Sequence, residues 1–319
     1  MYKRQSLLAQ RLAASGTQCH ALCRSKAKTV GIAHKNIHWF EGDLLDSASM
    51  ESAMKGCEQV YHIAAYARVW AKHPDTFYNI NVKGTQNVLD IAFQLGIKKL
   101  VFTSTAGVLG PATTHATIDE NSKQKLDFRN PYESTKQQAE TLIDAHVQKG
   151  LHAVIVAPTR VYGPGLLGES NAVTKMIQRY DQGQWHLLPG DGSKKGNYVF
   201  VEDVVNGHLL AMEKGKAGEK YILGGENVSY TAFFDTLSKV SQKNYTLYKV
   251  PIWVMLLFAR AQLVLAQLFS RYPLITPIWV KKYLHHWVLS SEKAQHGLGY
   301  AITPLELGLQ KTLDWIRKI

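Results

Sequence analysis

The first hydrophobic pattern along the chain is helical. "SLLAQRLAAS" (Ser6–Ser15) spaces apolar residues for one helix face and stops at Gly16, and a short strand pattern follows at Gln18–Cys23. Three later segments read differently. "QVYHIAA" (Gln59–Ala65), "KKLVFTST" (Lys98–Thr105) and "HAVIVAPT" (His152–Thr159) are near-continuous apolar runs, the pattern of parallel strands buried on both faces. Between the first two, the spacing predicts a helix over Pro74–Gln94 ended by Gly96. Between the second and third it predicts one over Pro131–Lys149 ended by Gly150. Strand–helix–strand repetition predicts right-handed crossovers and an α/β fold with a doubly wound parallel sheet.

The pattern changes after Gly163-Pro164-Gly165. Strand patterns recur at "NYVFVED" (Asn197–Asp203) and "KYILGG" (Lys220–Gly225), and from Tyr230 the periodicity is mostly helical. The expected organisation is a sheet domain over 1–165 with a return segment near 197–225. A smaller, mostly helical substrate or lid part is expected from 166–196 and 226–319. At 319 residues and 45% hydrophobic content the chain can bury a sizeable core.

Charge adds one constraint. The net +12 is spread over short pairs such as Lys98-Lys99 and Lys194-Lys195, without an arginine-rich run or interleaved aromatics. That argues against nucleic acid and for an anionic cofactor, an anionic substrate or a membrane surface. Cys19, Cys23 and Cys57 have neither metal-ligand spacing nor the pattern of a disulfide framework. No metal site is expected, and a reducing, cytoplasmic setting is.

The segment "NPYESTKQQAE" carries the chemistry. Tyr132 and Lys136 stand four apart on the predicted helix and share a face. A phenol with an ordinary pKa near 10 is a poor base at neutral pH, and a nearby ammonium favours its phenolate. The pair can therefore move a proton at a carbinol or carbonyl oxygen. Upstream, the strand "KLVFTST" ends in Thr103, Ser104 and Thr105. Hydroxyls at the carboxyl end of a parallel strand lie where doubly wound sheets bind ligands.

With these pieces in place, the chain resembles the extended short-chain dehydrogenases/reductases, in their epimerase/dehydratase branch. The matching segments are "GDLLD" (Gly42–Asp46), "HIAA" (His62–Ala65), "NVKGTQNVL" (Asn81–Leu89), "VFTSTAGVLG", "PYESTK", "PTRVYGPG" (Pro158–Gly165), "YVFVEDVVNGHLLAME" (Tyr198–Glu213) and "YILGGEN" (Tyr221–Asn227), in family order. The resemblance implies a Rossmann-type sheet, a nicotinamide cofactor and a small-molecule substrate. It implies that Tyr132 is the catalytic acid/base, that Lys136 holds the nicotinamide ribose and tunes Tyr132, and that Thr105 is the hydroxyl partner, with Ser104 the fallback. Asp43 and Leu44 would flank the adenine, Ala64 and Ala65 line the cofactor trough, and Pro158 and Val161 approach the nicotinamide. Asn81, Gly84 and Thr85 would fix close helix–sheet packing. Many relatives dimerise through the helices bearing Asn81 and Tyr132, so the resemblance implies a homodimer at the level of the family only.

Cofactor preference is read from "ALCRSKAK". The position after the second strand, where an acid would accept hydrogen bonds from NAD ribose hydroxyls, offers Arg24, Ser25 and Lys26 instead. These can hold a 2′-phosphate, so NADP(H) is expected ahead of NAD(H). The overall flavour is closest to dihydroflavonol-reductase-like and 3β-hydroxysteroid-dehydrogenase-like members, with nucleotide-sugar epimerases the alternative. Tyr66, Trp70, Arg160, Tyr162 and Tyr198 are the candidate substrate contacts.

Two features stand outside this scheme. "IWVMLLFARAQLVLAQLF" (Ile252–Phe269) is nearly long enough to span a bilayer but carries Arg260, Gln262 and Gln267. It reads either as a helix packed on the core or, with Pro277–Trp287, as a peripheral membrane contact. Second, no glycine falls before Gly16, whereas the family begins with a strand and a glycine-rich phosphate turn. A truncated reading frame is the expectation, with "MYKRQ" a processing scar. The expected result is two unpaired inner strand edges, about 10 Å apart, and a fragment unable to hold dinucleotide tightly. A non-catalytic relative is the competing expectation.

Overall fold

The computed structural model describes residues 3–29, 31–112, 116–122, 130–168 and 171–319. The first half runs α1 (Lys3–Ala14), β1 (Cys19–Cys23), β2 (Ile37–Glu41), α2 (Ser47–Met54), β3 (Gln59–His62), a single turn α3 (Thr76–Tyr78), α4 (Gly84–Gln94), β4 (Lys99–Thr103), α5 (Pro131–Gln148) and β5 (Ala153–Pro158). A π-helical segment, Asn79–Lys83, joins α3 to α4. The second half continues with β6 (Arg160–Tyr162), α6 (Ala172–Asp181), β7 (Leu187–Pro189), β8 (Lys195–Phe200), α7 (Val201–Lys214), β9 (Lys220–Leu223), β10 (Glu226–Ser229), α8 (Tyr230–Ser241), β11 (Tyr248–Val250), α9 (Ile252–Phe269), α10 (Pro277–Lys281), α11 (Glu292–Leu298) and α12 (Leu305–Ile316).

The main sheet is parallel, in the order β3-β4-β5-β9. Its central strands are buried on both faces, which explains their continuous apolar runs. Leu100 and Phe102 of β4, with Ala153 and Ile155 of β5, face a core closed by α2, α4 and α5. Val101, Val154 and Val156 point the other way, into a core that includes Ala211 and Met212 of α7 and Leu298 of α11. This alternation is the period of two that a pleated strand imposes. The chain returns to this sheet once, as β9 beside β5. β8 does not join it; it pairs with β6 in parallel and with β10 antiparallel, and α7 begins at Val201, earlier than the "NYVFVED" pattern suggested.

β1 and β2 form a separate parallel pair. Among the described residues no backbone ladder joins β1 to β3. Their residues are less enclosed than those of β4 and β5: β3 keeps only His62 fully buried, and β1 none. α1 covers the β1–β2 pair through Ala13, Ile32 and Ile37, and Arg11 reaches Asn206 of α7 at 3.2 Å. The helix begins at Lys3, one turn earlier than the apolar pattern indicated, because Lys, Arg and Gln are themselves good helix formers. Met1 and Tyr2 of the expected scar lie outside the described residues.

Helix boundaries follow local chemistry. Asn130 accepts the Glu133 amide at 2.9 Å with Pro131 in the first turn, fixing where α5 starts. Gly96 and Gly150, at φ +65° and +104°, let α4 and α5 terminate. A third core, under α6, α8 and α12, holds Tyr162, Tyr180, Phe200, Phe233 and Leu309. α9 is the exception in this half: only Ala259 and Ala266 are buried.

Gly225 marks the closest backbone approach, since a Cβ there would press on the Tyr198 carbonyl. Gly225→Ala is expected to destabilise the fold by about 1–3 kcal/mol, as overpacking does, measurable as a lowered denaturant midpoint at unchanged m-value.

Candidate active site

The site is built on the first turn of α5. Its start is set by the Asn130 cap, so Tyr132 falls in the first turn, where the positive end of the helix dipole favours a phenolate. Tyr132 is half-exposed, while Lys136, one turn on, is buried with its ammonium 3.8 Å from the Phe102 ring centroid. This turn is held from two directions. Asn81, buried in the π-helical segment, donates to Thr135 Oγ1 at 3.0 Å and accepts the Tyr66 amide at 2.7 Å. The Glu133 carboxylate receives the Lys282 ammonium from the C-terminal half. Burial lowers the Lys282 pKa; Glu133 opposes that shift and Arg160 adds to it. The rings of Trp279 and Trp287 flank the ammonium at 4.2 and 5.2 Å.

The end of β4 packs against the same turn: a Cβ at Gly107 would meet the Glu133 carboxylate. Thr103 is a core anchor, its Oγ1 2.8 Å from His208 Nε2. Ser104 is buried, and among the described residues its hydroxyl has no hydrogen-bond partner. Thr105 is half-exposed, and its Oγ1 accepts the Gly107 amide at 3.3 Å. Of the three hydroxyls, Thr105 is the one that a ligand reaches without displacing core atoms.

The other candidates fall into two groups. Asp43 accepts the Leu45 amide in a tight turn after β2. Leu44 packs on Gly84, where a Cβ would lie 2.9 Å from the Leu44 Cβ. Ala64 and Ala65 follow β3 half-buried, Pro158 ends β5 and Val161 lies in β6. Arg24 and Lys26 are exposed and Ser25 half-buried, just beyond the carboxyl end of β1. All of these lie at or after the carboxyl ends of parallel strands, the ligand side of such sheets. Thr85 bonds His62 Nε2 at 2.9 Å and the Asn81 carbonyl at 2.7 Å, close helix–sheet packing of the expected kind.

Among the substrate candidates, Tyr66 and Trp70 cluster with Tyr272, whose ring lies 5.4 Å from that of Trp70 and whose hydroxyl lies 3.5 Å from that of Tyr66. Arg160 donates to the Tyr230 hydroxyl at 2.5 Å and the Tyr198 hydroxyl at 3.3 Å. Burial works against its charge, but Tyr230, Tyr198 and Tyr283 outweigh that and hold it firmly protonated. Tyr198 is buried beneath this guanidinium. Tyr162 is fully enclosed in the third core against Phe200, so a direct substrate contact would require that core to open.

Sequence reasoning did not single out Glu133, Lys282, Tyr230 or Tyr283. Lys282 falls within Pro277–Trp287, read only as part of a peripheral membrane contact, although the flanking Trp279 and Trp287 were the available signal. It also missed that His62 is buried and neutral: burial, and then the Lys136 charge, pull its pKa down to about 3.

One family model describes the chain: the "NAD dependent epimerase/dehydratase family" model matches residues 6–224. The chain belongs to this family. It is 29% identical over 315 residues to a Synechocystis sp. protein provisionally named dihydroflavonol 4-reductase, covering 97% of this chain and 90% of that one. It is 26% identical to the Arabidopsis thaliana 3β-hydroxysteroid-dehydrogenase/decarboxylase isoform 2, covering 89% of this chain and 53% of the relative's length. Among solved structures, that of gox2253 superposes with TM-score 0.81 at 28% identity, over 99% of this chain and 95% of that one. A Thermus thermophilus UDP-glucose 4-epimerase crystallised with NAD shares the fold at TM-score 0.77 and 24% identity, over 98% of this chain and 95% of that one.

A nicotinamide dinucleotide fits the polar atoms present. The partly exposed Thr105 and Tyr132 hydroxyls, at the carboxyl end of β4 and in the first turn of α5, are reachable polar groups of the kind that ribose hydroxyls satisfy.

Two predictions follow from this geometry. Lys282→Ala leaves the Glu133 carboxylate buried without its cation and is expected to cost about 3–5 kcal/mol; the joint change Glu133→Leu with Lys282→Met should recover most of that in chemical denaturation. For His62, the folded pKa lies below the unfolded value of about 6.5. The unfolded state therefore binds the extra proton, and stability present above pH 6.5 falls as pH drops towards 3. That slope is about 1.4 kcal/mol per pH unit, and His62→Gln should remove it from the wild-type pH profile.

Proposed function

We propose that the chain is an oxidoreductase of the reductase/dehydrogenase type, in which Tyr132 exchanges a proton with a carbinol or carbonyl oxygen. The observation that supports this most is the half-exposed Tyr132 on a capped, doubly anchored helix turn, one turn before the buried Lys136 and beside the hydroxyl end of β4. Lys136 supplies the positive charge that brings the phenol towards its working range. Thr105 donates or accepts at the same substrate oxygen, with Ser104 beneath it. When bound, the dinucleotide supplies the hydride donor or acceptor.

Lys136 and Tyr132 would hold its nicotinamide ribose, Pro158 and Val161 its ring, Ala64 and Ala65 its middle, and Asp43 and Leu44 its adenine. Arg24, Ser25 and Lys26 favour NADP(H) over NAD(H), because two exposed cations beside a hydroxyl suit a 2′-phosphate. Arg160, ringed by tyrosines and carrying no carboxylate partner among the described residues, suits an anionic group on the substrate. Tyr66 and Trp70 suit an apolar body. That combination fits a carboxylated or otherwise acidic ring compound, in line with the name of the Arabidopsis thaliana 3β-hydroxysteroid-dehydrogenase/decarboxylase. A nucleotide sugar, with its diphosphate, is the other substrate that Arg160 would accept.

A second reading rests on one observation, the lack of a ladder between β1 and β3. In it the chain keeps the scaffold but binds dinucleotide weakly and does not turn over.

Titrating the chain with NADPH and NADH, followed by tryptophan fluorescence, separates the two. The first reading expects saturable binding, tighter for NADPH, with Arg24→Ala/Lys26→Ala weakening NADPH by about tenfold or more and leaving NADH unchanged. Absent binding of either establishes the second. Tyr132→Phe should cut turnover by about two to four orders of magnitude, the usual worth of a general acid/base, at nearly unchanged cofactor affinity; retained activity would remove Tyr132 from the mechanism.

A further inference from the structure

The observation that the proposed chemistry leaves unused is α9. It is the one helix among the described residues long and apolar enough to cross a membrane. Yet at 1.5 Å per residue its 18 residues span about 27 Å, short of the roughly 30 Å hydrocarbon core. Its circumference divides in two. Ile252, Met255, Ala259, Leu263 and Ala266 recur at helical spacing and lie against the protein, buried or half-buried. The opposite half is equally apolar and open to solvent: Trp253 is 65% exposed, Leu257 55%, Leu268 71% and Phe269 65%, with Phe258 and Leu265 between them. Arg260 and Gln267 fall on one edge of this stripe rather than through it. A helix that is apolar all round belongs in a fully apolar setting, and an exposed stripe of large side chains is what an interaction surface looks like on an otherwise soluble fold.

The surrounding charge identifies what covers it. No Asp or Glu occurs between Asp235 and Glu292, a stretch that contains α9 and the segments on both its flanks. Within it Lys249, Arg260, Arg271 and Lys281 are exposed, and among the described residues none of them is in an ion pair. Tyr248, Trp253 and Tyr272 stand at the ends of the helix, 50% exposed or more, where amphipathic rings suit the boundary between acyl chains and headgroups. A second protein would more often be met by charges of both signs. The stretch bearing α9 carries cations alone, the exposed Asp191 beside Gly190 and Ile252 being the acid near its start, and this excess of cations around a broad apolar stripe matches anionic lipid.

We propose that α9 is a membrane-docking helix, lying in the headgroup region of an anionic bilayer with its Trp253–Leu257–Leu268 stripe among the acyl chains. The chain leaves α9 through Arg271 and Tyr272. The Tyr272 ring lies 4.7 Å from the Arg68 guanidinium and its hydroxyl 3.5 Å from that of Tyr66. Docking therefore sets the Tyr66–Trp70 segment beside the lipid surface, where a poorly water-soluble compound partitions. This inference stands on α9 alone and holds whether or not the chain turns over.

The test is flotation of the full chain with phosphatidylcholine vesicles, with and without phosphatidylglycerol. Expected is recovery with the anionic vesicles, about tenfold tighter than with the zwitterionic ones, partly released by high salt and lost in Leu257→Glu/Leu265→Glu/Leu268→Glu. All three side chains face outward, so that variant should keep its circular dichroism spectrum and thermal midpoint. Should it fail to fold, quenching of wild-type emission by brominated lipid, lost in Trp253→Phe, reads the same contact. No flotation with either vesicle, unchanged flotation of the folded triple variant, or unquenched emission would each overturn the proposal. So would a wild-type dimer, indifferent to vesicles, that the triple variant turns into a monomer, because a second copy would then be the cover.

Discussion

Burying a charged carboxylate is costly unless a cation or hydrogen bonds compensate it, and much of this molecule is arranged around that requirement at Glu133. The residue sits in the first turn of α5, beyond the end of β4, where a Cβ at Gly107 would press on its carboxylate. Its cation, Lys282, comes from 149 residues away in sequence, held between two tryptophan rings. The pair stabilises little by itself, since desolvation consumes most of what attraction returns. What it fixes is position: the C-terminal half cannot drift from the turn that bears Tyr132 without stranding both charges. Arg160 and its tyrosines then lie near the same region, so one set of buried polar contacts joins the sheet, the Tyr132 turn and the proposed substrate side.

The rest of the sheet is organised by how completely each strand is covered. β4 and β5, enclosed on both faces, carry the hydroxyl end and the Pro158 end of the site. β1 and β3 are half-covered, and among the described residues no ladder joins them. Pro158, proposed to face the nicotinamide, thus ends an enclosed strand, whereas Arg24, Ser25 and Lys26 follow the less enclosed β1. Local stability follows enclosure, so the two ends of the expected dinucleotide contacts differ in how firmly their scaffold holds them.

Much of this was legible in the sequence because the determining signals are local. The continuous apolar runs at 98–105 and 152–159 are what two-faced burial demands, and Asn130-Pro131 writes the start of α5 directly into the chain. The Tyr132–Lys136 spacing is a property of one helix. What was not legible depends on distant chain segments meeting. Lys282 looks like surface charge until Glu133 is placed beside it, and Tyr162 looks like a pocket residue until Phe200 and Gly308 close over it. β8 has the composition of a sheet strand, and only the positions of β6 and β10 show which sheet it joins. The two readings of 252–269 differ solely in what covers one helix face, which no periodicity within the helix can report.

The π-helical segment Asn79–Lys83 has a consequence for tolerance to length change. A π turn holds an extra residue over an α turn, and each residue in a helix advances the side-chain direction by about 100°. The insertion lets Asn81 point to Thr135 and Tyr66 while Gly84 and Thr85, immediately beyond, still face Leu44 and His62. Ordinary winding through these residues would satisfy one set and turn the other away. The segment is therefore a counted length: it tolerates exchange of its outward side chains, Lys83 among them, but loss of a single residue would uncouple the helix that packs on the sheet from the turn that positions Tyr132.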